Sequence, residues 1–290
     1  MKLFLLSLFS FMVMSTSYTS ADQPVMDMAP RWEKGYGFQI RQEFFGSDKL
    51  LQGSNKINNP LGLERYVSET WLEGVYTFNR SIRATFKLPF VYQRRVKNIN
   101  GSGVKQKNSG LGDLILGVPI KYYRNKGAYT DNFGITPSIR IPTGDSSGDF
   151  PIADGSWDFG LSLSHSLETP KYYTSVELFY WKNTTGKNGM KSGDEFGLEI
   201  DLGYHAFHSD ITNFGMFIMW DLNAVHNGKP NEANLTTFTG GQLVQTGPIL
   251  VLYKNNVMFR AELKYPLYED VDGISNSRGP EINIGIGIAF

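Results

Sequence analysis

The sequence predicts an all-β protein: a transmembrane antiparallel up-and-down β-barrel of twelve strands behind a cleaved signal peptide. Three observations carry this expectation. The N-terminus reads as an export leader, segment after segment alternates apolar and polar residues with period two, and the connections sort into long and short by turns.

Lys2 supplies a positive start, Leu3 to Met14 is a mostly apolar run, and Ser15 to Ala21 is small and polar. Thr19-Ser20-Ala21 offers the small residues that signal peptidase requires just before its cut. The apolar run is shorter than the roughly 20 residues of a spanning helix. The expected organisation is a signal peptide over 1–21, a periplasmic N-terminal segment over 22–34 and the barrel over 35–290. No later apolar run reaches helix-spanning length, so any crossing of a membrane is by strands.

A barrel strand shows about 10 residues of alternating polarity, apolar toward lipid and polar or small toward the lumen. The last segment is the clearest: Ile282, Ile284, Ile286, Ile288 and Phe290 oppose Glu281, Asn283, Gly285, Gly287 and Ala289. Similar rows run through Gly112–Tyr122, Ile82–Arg95, Phe196–His205, Phe214–Asp221 and Val257–Tyr265. Weaker candidates are Tyr36–Phe45, Arg65–Phe78, Phe133–Ile141, Trp157–Leu167, Tyr172–Lys182 and Gln242–Tyr253. In 172–182, Phe179 and Trp181 compete with Leu178 and Tyr180 for the outer face; in 214–221, Phe217 and Met219 blur the pattern.

The connections at 46–62, 97–109, 143–155, 183–193, 224–240 and 269–279 are long and are placed outside. Those at 79–81, 124–131, 169–171, 207–212 and 254–256 are shorter and periplasmic, the asymmetry of outer-membrane barrels. Aromatics near strand ends (Tyr66, Tyr76, Phe78, Tyr92, Tyr122, Trp157, Tyr204, Trp220, Tyr265, Phe290) suit interfacial girdles. Phe290, closing a lipid-facing row, is the expected assembly signal for the barrel-assembly machinery. The other expected partners are outer-membrane lipids, lipopolysaccharide and a small solute.

Equal numbers of basic and acidic side chains, 28 each, argue against nucleic-acid binding. The absence of cysteine removes thiol chemistry and disulfides. The inward parity holds charges of both signs: the lumen-lining candidates are Arg41, Glu43, Glu69, Glu73, Arg83, Lys87, Asp113, Lys121, Arg140, Glu199, Asp201, Arg260, Glu262 and Lys264, with Arg65, Arg95, Asp158, Glu177 and Asp221 on the same parity. They read either as a polar lumen that orients small solutes or as a salt-bridged interior holding the barrel rigid. Mixed signs argue against strong ion selectivity.

No catalytic residues, cofactor or metal are expected. His165, on the lipid-facing parity, invites comparison with an outer-membrane phospholipase family that uses a Ser–His–Asn arrangement. That family's His-x-Ser-Asn pattern is missing, since Leu167 and Glu168 follow Ser166. His205 and His208 share a turn with Asp210, and Met26-x-Met28 holds two thioethers; both are weak metal signals. Asp145, Asp149 and Asp154 in one outer loop, and Glu269, Asp270 and Asp272 in another, lack calcium-loop spacing and read as solvated acidic loops. Gly110-x-Gly112 leads into a strand rather than a helix and is no dinucleotide fingerprint.

GLGDLILGVPIKYY at Gly110–Tyr123, RIPTG at Arg140–Gly144, LPFVYQR at Leu88–Arg94, Gly240-Gly241 and the terminal Phe together resemble the outer-membrane family named after the meta-pathway of phenol degradation. The resemblance covers about Gly35 to Phe290. It implies an outer-membrane channel suspected of passing hydrophobic or aromatic compounds, with no catalytic residues to carry over. Structurally, Asp113 is expected to turn inward, Pro142 to end strand pairing, and Gly144 to take a turn position with positive φ.

Overall fold

The computed structural model describes residues 33–127, 129–148, 150–189, 191–230 and 240–290. The segment 1–21 expected to be a signal peptide, Met26, Met28, Asp149 and nearly all of the 22–34 segment lie outside the described residues. The strand segments are β1 (Tyr36–Ser47), β2 (Leu50–Gly53), β3 (Asn55–Ile57), β4 (Glu64–Asn79), β5 (Ile82–Ile99), β6 (Ser102–Leu111), β7 (Leu114–Gly117), β8 (Ile120–Lys126) and β9 (Tyr129–Ile141). They continue with β10 (Asp158–Glu168), β11 (Tyr172–Lys182), β12 (Glu195–Ser209), β13 (Phe214–Asn227), β14 (Gly241–Lys254), β15 (Val257–Asn276) and β16 (Glu281–Ala289).

Every pairing is antiparallel, β1 pairs both β4 and β16, and β14 pairs both β13 and β15, so the sheet closes on itself. β6, β7 and β8 together supply one wall position, and β2–β3 is an appended hairpin. That leaves the twelve barrel strands expected from the sequence. Closure removes the sheet edges that lipid could not hydrogen-bond. The C-terminal residue takes part: Tyr36 and Phe290 exchange backbone hydrogen bonds of 2.9 and 2.7 Å.

Burial runs opposite to that of a soluble protein. On β16, Glu281 and Asn283 are 0% and 1% exposed while Ile282 and Ile284 are 43% and 44% exposed. The same inversion holds around the ring: Leu163, Leu202, Ile218 and Phe159 face out, while Arg41, Glu43, Glu177, Asp201, Asp221 and Lys264 are buried. An exposed apolar band around a polar interior is stable only in a hydrocarbon solvent. The protein sits in the bacterial outer membrane. Aromatic rings mark the short-turn rim, where Tyr36 stacks near Tyr76 at 5.1 Å, Tyr76 meets Phe78 edge-on at 4.9 Å and Tyr172 lies 5.6 Å from Tyr204.

Several local expectations change. The wall over Gly112–Tyr122 keeps its parity but breaks twice, at Gly112-Asp113 and Val118-Pro119, because Pro119 has no N–H to donate. The connection at 97–109 is mostly strand: β5 and β6 form a long hairpin around Asn100-Gly101, both with positive φ, the pair a tight primed turn demands. In β11, Phe179 and Trp181 point inward and are only 4% exposed each. Glycines make the room: a Cβ on Gly197 would meet the Phe179 ring at 2.2 Å, and one on Gly160 the Trp181 ring at 2.8 Å.

Candidate functional site

The three motif segments singled out in the sequence meet at the long-loop end of the barrel. Thr143 Oγ accepts from the Leu114 N–H (2.9 Å) and donates to the Gly112 carbonyl (3.0 Å). The Gly144 N–H donates to the Asp113 carboxylate at 2.9 Å. Gly144 does not have the positive φ expected of it; a Cβ there would collide with Ala153 (2.7 Å) and Asp113 (2.9 Å), so close approach is the reason for glycine. The Gly112 N–H reaches the Pro89 carbonyl of the LPFVYQR segment at 2.8 Å. GLGD, PTG and LPF form one clasp.

Beyond this clasp residues 150–156 turn into the barrel instead of standing in solvent. The Gln93 amide donates to the Pro151 carbonyl (2.9 Å), the Asn108 amide donates to the Phe150 carbonyl (3.0 Å), and Arg95 covers the Phe150 ring at 4.0 Å. Ile152 packs on the buried Phe45, Val67 and Val91. Across the lumen, Ser192 donates to Asp154 (2.8 Å) and the Lys187 N–H to the Asp154 carbonyl (2.9 Å). The reading of this segment as a solvated acidic loop is thus corrected for Asp154, which is buried; Asp145 is exposed and holds Ser147. The apolar residues Phe150, Pro151 and Ile152 draw the segment inward.

Beside the inserted loop lies a cavity of about 230 Å³. Trp71, Pro89, Val91, Ile152 and Leu243 give it apolar walls, and Glu69, Asp113, Arg140, Glu195, Gln245 and Arg278 give it polar ones. Arg140 is fixed by Asp158 (3.1 Å) and Glu195 (3.4 Å) and lies over the Trp181 ring at 4.5 Å.

Toward the short turns the lumen is crossed by a buried charged belt. Arg41 pairs with Glu43 (2.6 Å) and donates to Asn283 (2.8 Å); Arg278 pairs with Glu281 (2.7 Å) and Glu43 (3.1 Å). Arg260 pairs with Glu262 (2.9 Å), and Lys264 with Asp221 (2.9 Å) and Glu262 (3.4 Å). Gln39 donates to Glu73 at 2.8 Å. Nearer the turns Tyr173, Met219, Ile249, Val251 and Met258, backed by Phe217, form an apolar cluster on the β11–β15 side of the interior.

The candidates named from sequence are distributed over these layers. Arg41, Glu43, Glu73, Arg260, Glu262 and Lys264 join in the belt, with Glu199 and Asp201 on the β12 wall beside Asp221. Glu69, Asp113 and Arg140 line the cavity. Arg83 and Lys121 are buried near the short-turn end, Arg83 donating to the Tyr123 hydroxyl at 3.0 Å, and Lys87 is half-buried between them and the cavity. Arg278, Trp71, Trp181 and the apolar cluster were not foreseen. Arg278 falls in a stretch assigned to a loop, and the inward aromatics break parity rules unless the facing glycines are read with them.

His165 lies beside Asp131 (3.0 Å) and the Phe133 ring, while Ser166 turns to the buried interior and binds Asn132. The imidazole and the serine are on opposite faces of one strand, which gives no nucleophile–base pair. His205 and His208 both reach the Tyr253 hydroxyl, at 2.8 and 3.0 Å, and His208 also meets Asp210 at 2.8 Å. Their ring nitrogens are engaged in this turn. Glu269 holds Ser277 and the Arg278 backbone N–H, which makes it a structural brace rather than a solvated loop acid.

A family model described as "Putative MetA-pathway of phenol degradation" matches residues 44–265. The chain belongs to this family. The matched span runs from the end of β1 into β15 and includes the whole clasp. Among solved structures, a crystallised outer membrane channel from Pseudomonas putida F1 superposes with a TM-score of 0.70 at 14% identity, over 93% of this chain and 100% of that one. The β domain of the Bordetella autotransporter BrkA gives a TM-score of 0.50 at 14% identity, over 89% and 100%. At these identities the likeness concerns the barrel fold. No curated protein matches the sequence.

Proposed function

We propose that this family member is a passive outer-membrane channel for small molecules, hydrophobic or aromatic ones in particular. The observation that carries the reading is the partly open cavity of about 230 Å³ held against the inserted loop. An apolar cavity of about 150 Å³ already accommodates benzene, so a single-ring solute fits. Trp71, Pro89, Val91 and Ile152 offer it apolar surface, and Arg140 and Arg278 can hold a polar substituent. The family's name and the description of the Pseudomonas protein as a channel support the same reading.

Among the described residues the inward side buries twelve Asp and Glu side chains and seven Lys and Arg, with Arg140 and Lys87 half-buried beside them, an acidic excess that the sequence parity did not convey.

A second reading, a barrel that passes nothing, draws on the belt and the apolar cluster, whose buried side chains narrow the lumen below the cavity. Two measurements on purified protein decide between them: conductance in planar bilayers and flux of phenol-class solutes into liposomes. Flux above that of empty liposomes is expected. Absence of both conductance and flux would overturn the channel reading.

A further inference from the structure

We propose that Glu199, Asp201 and Asp221 bind one hard divalent cation, of the calcium class, on the inner wall of the barrel. The three carboxylates come from adjacent strands, β12 and β13, and each brings an oxygen within 4.8 Å of the other two. Two oxygens bound to one ion at about 2.4 Å, the Ca²⁺–carboxylate distance, can be no farther apart than this. The donors are all oxygen, which selects Ca²⁺ or Mg²⁺ over softer metals.

The register shows that something must offset the charge here. Asp201 stands directly opposite Asp221, and Glu199 opposite Glu177 on β11. Like charges directly across a sheet destabilise it, and all four side chains are buried. Lys264 addresses one oxygen of Asp221 but is shared with Glu262, which also engages Arg260. Asp201 is the decisive group: it is 1% exposed and neither carboxylate oxygen has a hydrogen-bond partner. A buried charged carboxylate in that condition is costly unless a cation completes it.

The site is also reachable. Asn223, cross-strand from Glu199, and Gln245, its neighbour on β14, line the cavity. Asp221 is the next inward residue beyond Asn223 on β13, so the carboxylates lie just beneath the cavity floor.

The test is equilibrium dialysis of Ca²⁺ against chelator-stripped full chain refolded in lipid vesicles, with thermal unfolding as the second readout. One Ca²⁺ per chain is expected, together with a higher unfolding temperature in Ca²⁺ than in chelator. Asp201→Asn and Glu199→Gln should each weaken binding at least tenfold and abolish the thermal shift, whereas Asp48→Asn, in an exposed outer loop, should change neither. Failure of the native chain to bind Ca²⁺, or undiminished binding by both variants, overturns the proposal. Native chain without Ca²⁺ binding and a more stable Asp201→Asn would assign the offset to protons held by the carboxyls. Because the readouts are binding and unfolding, the outcome is independent of whether the barrel conducts.

Discussion

Two walls of the same barrel handle buried charge in opposite ways. Around β1, β15 and β16, cations and anions interleave: Arg41, Arg260 and Arg278 each meet a carboxylate, and Asn283 bridges Arg41, Glu262 and Glu281. Around β12 and β13, carboxylates face carboxylates and Asp201 meets no donor. Identical strand geometry thus supports a neutralised region that is rigid by its own pairing and a negative region that depends on something added. Alternation of polarity decides which side chains turn inward; only the register decides whether their charges cancel.

The largest effect is expected on the neutralised wall. Arg41→Met takes a buried cation from Glu43 and Glu73, leaving them only Arg278 and Gln39, and should cost about 3 kcal/mol, read from urea unfolding in vesicles. Asp201→Asn, measured in chelator, should be neutral or stabilising by up to about 1 kcal/mol, since it removes a like-charge pair. A cost for Asp201→Asn equal to that of Arg41→Met would erase the distinction between the walls.

Next comes the inserted loop. Ile152→Ala removes most of a half-buried side chain packed on Phe45, Val67 and Val91 and should loosen the loop's seat by about 1–2 kcal/mol. Single-channel recording should show larger or noisier openings, and unchanged currents would remove the loop from the pathway. The smallest effect is expected at the rim, where Lys182 and Asp194 pair at 2.6 Å with Lys182 half exposed. Burial raises the Asp194 carboxyl, but hydrogen bonds from Lys182 and Tyr180 outweigh it and hold the group below the ordinary aspartate range. Its contribution is present above that range and fades as pH falls through the lowered value. Lys182→Ala should leave stability at neutral pH almost unchanged, with any difference vanishing in acid; a loss as large as that of Ile152→Ala would contradict the assignment of this pair to the solvated rim.

The barrel itself was legible because its signal is repetitive and local: period two in Ile282–Phe290 or Phe196–Tyr204 needs no knowledge of neighbours. The inward faces of Arg41, Glu43, Glu262 and Lys264 followed from the same parity. Phe179 and Trp181 were not legible alone, since the space they fill is left by Gly160 and Gly197 on other strands. The Asn100-Gly101 turn carried a readable hairpin signal that loop-length reasoning passed over. The inserted loop was the largest omission. Phe150-Pro151-Ile152 is an apolar triplet inside an acidic stretch, and that contrast was the available signal; its partners Val67 and Val91 are distant in sequence and known only from the closed ring.

The loop also links opposite sides of the ring. One end is hooked to Gly112 and Asp113, its middle rests on β4 and β5, and Asp154 holds the connection between β11 and β12. It acts as a spoke across a hoop. A barrel braced in this way resists ovalisation under lateral pressure from lipid.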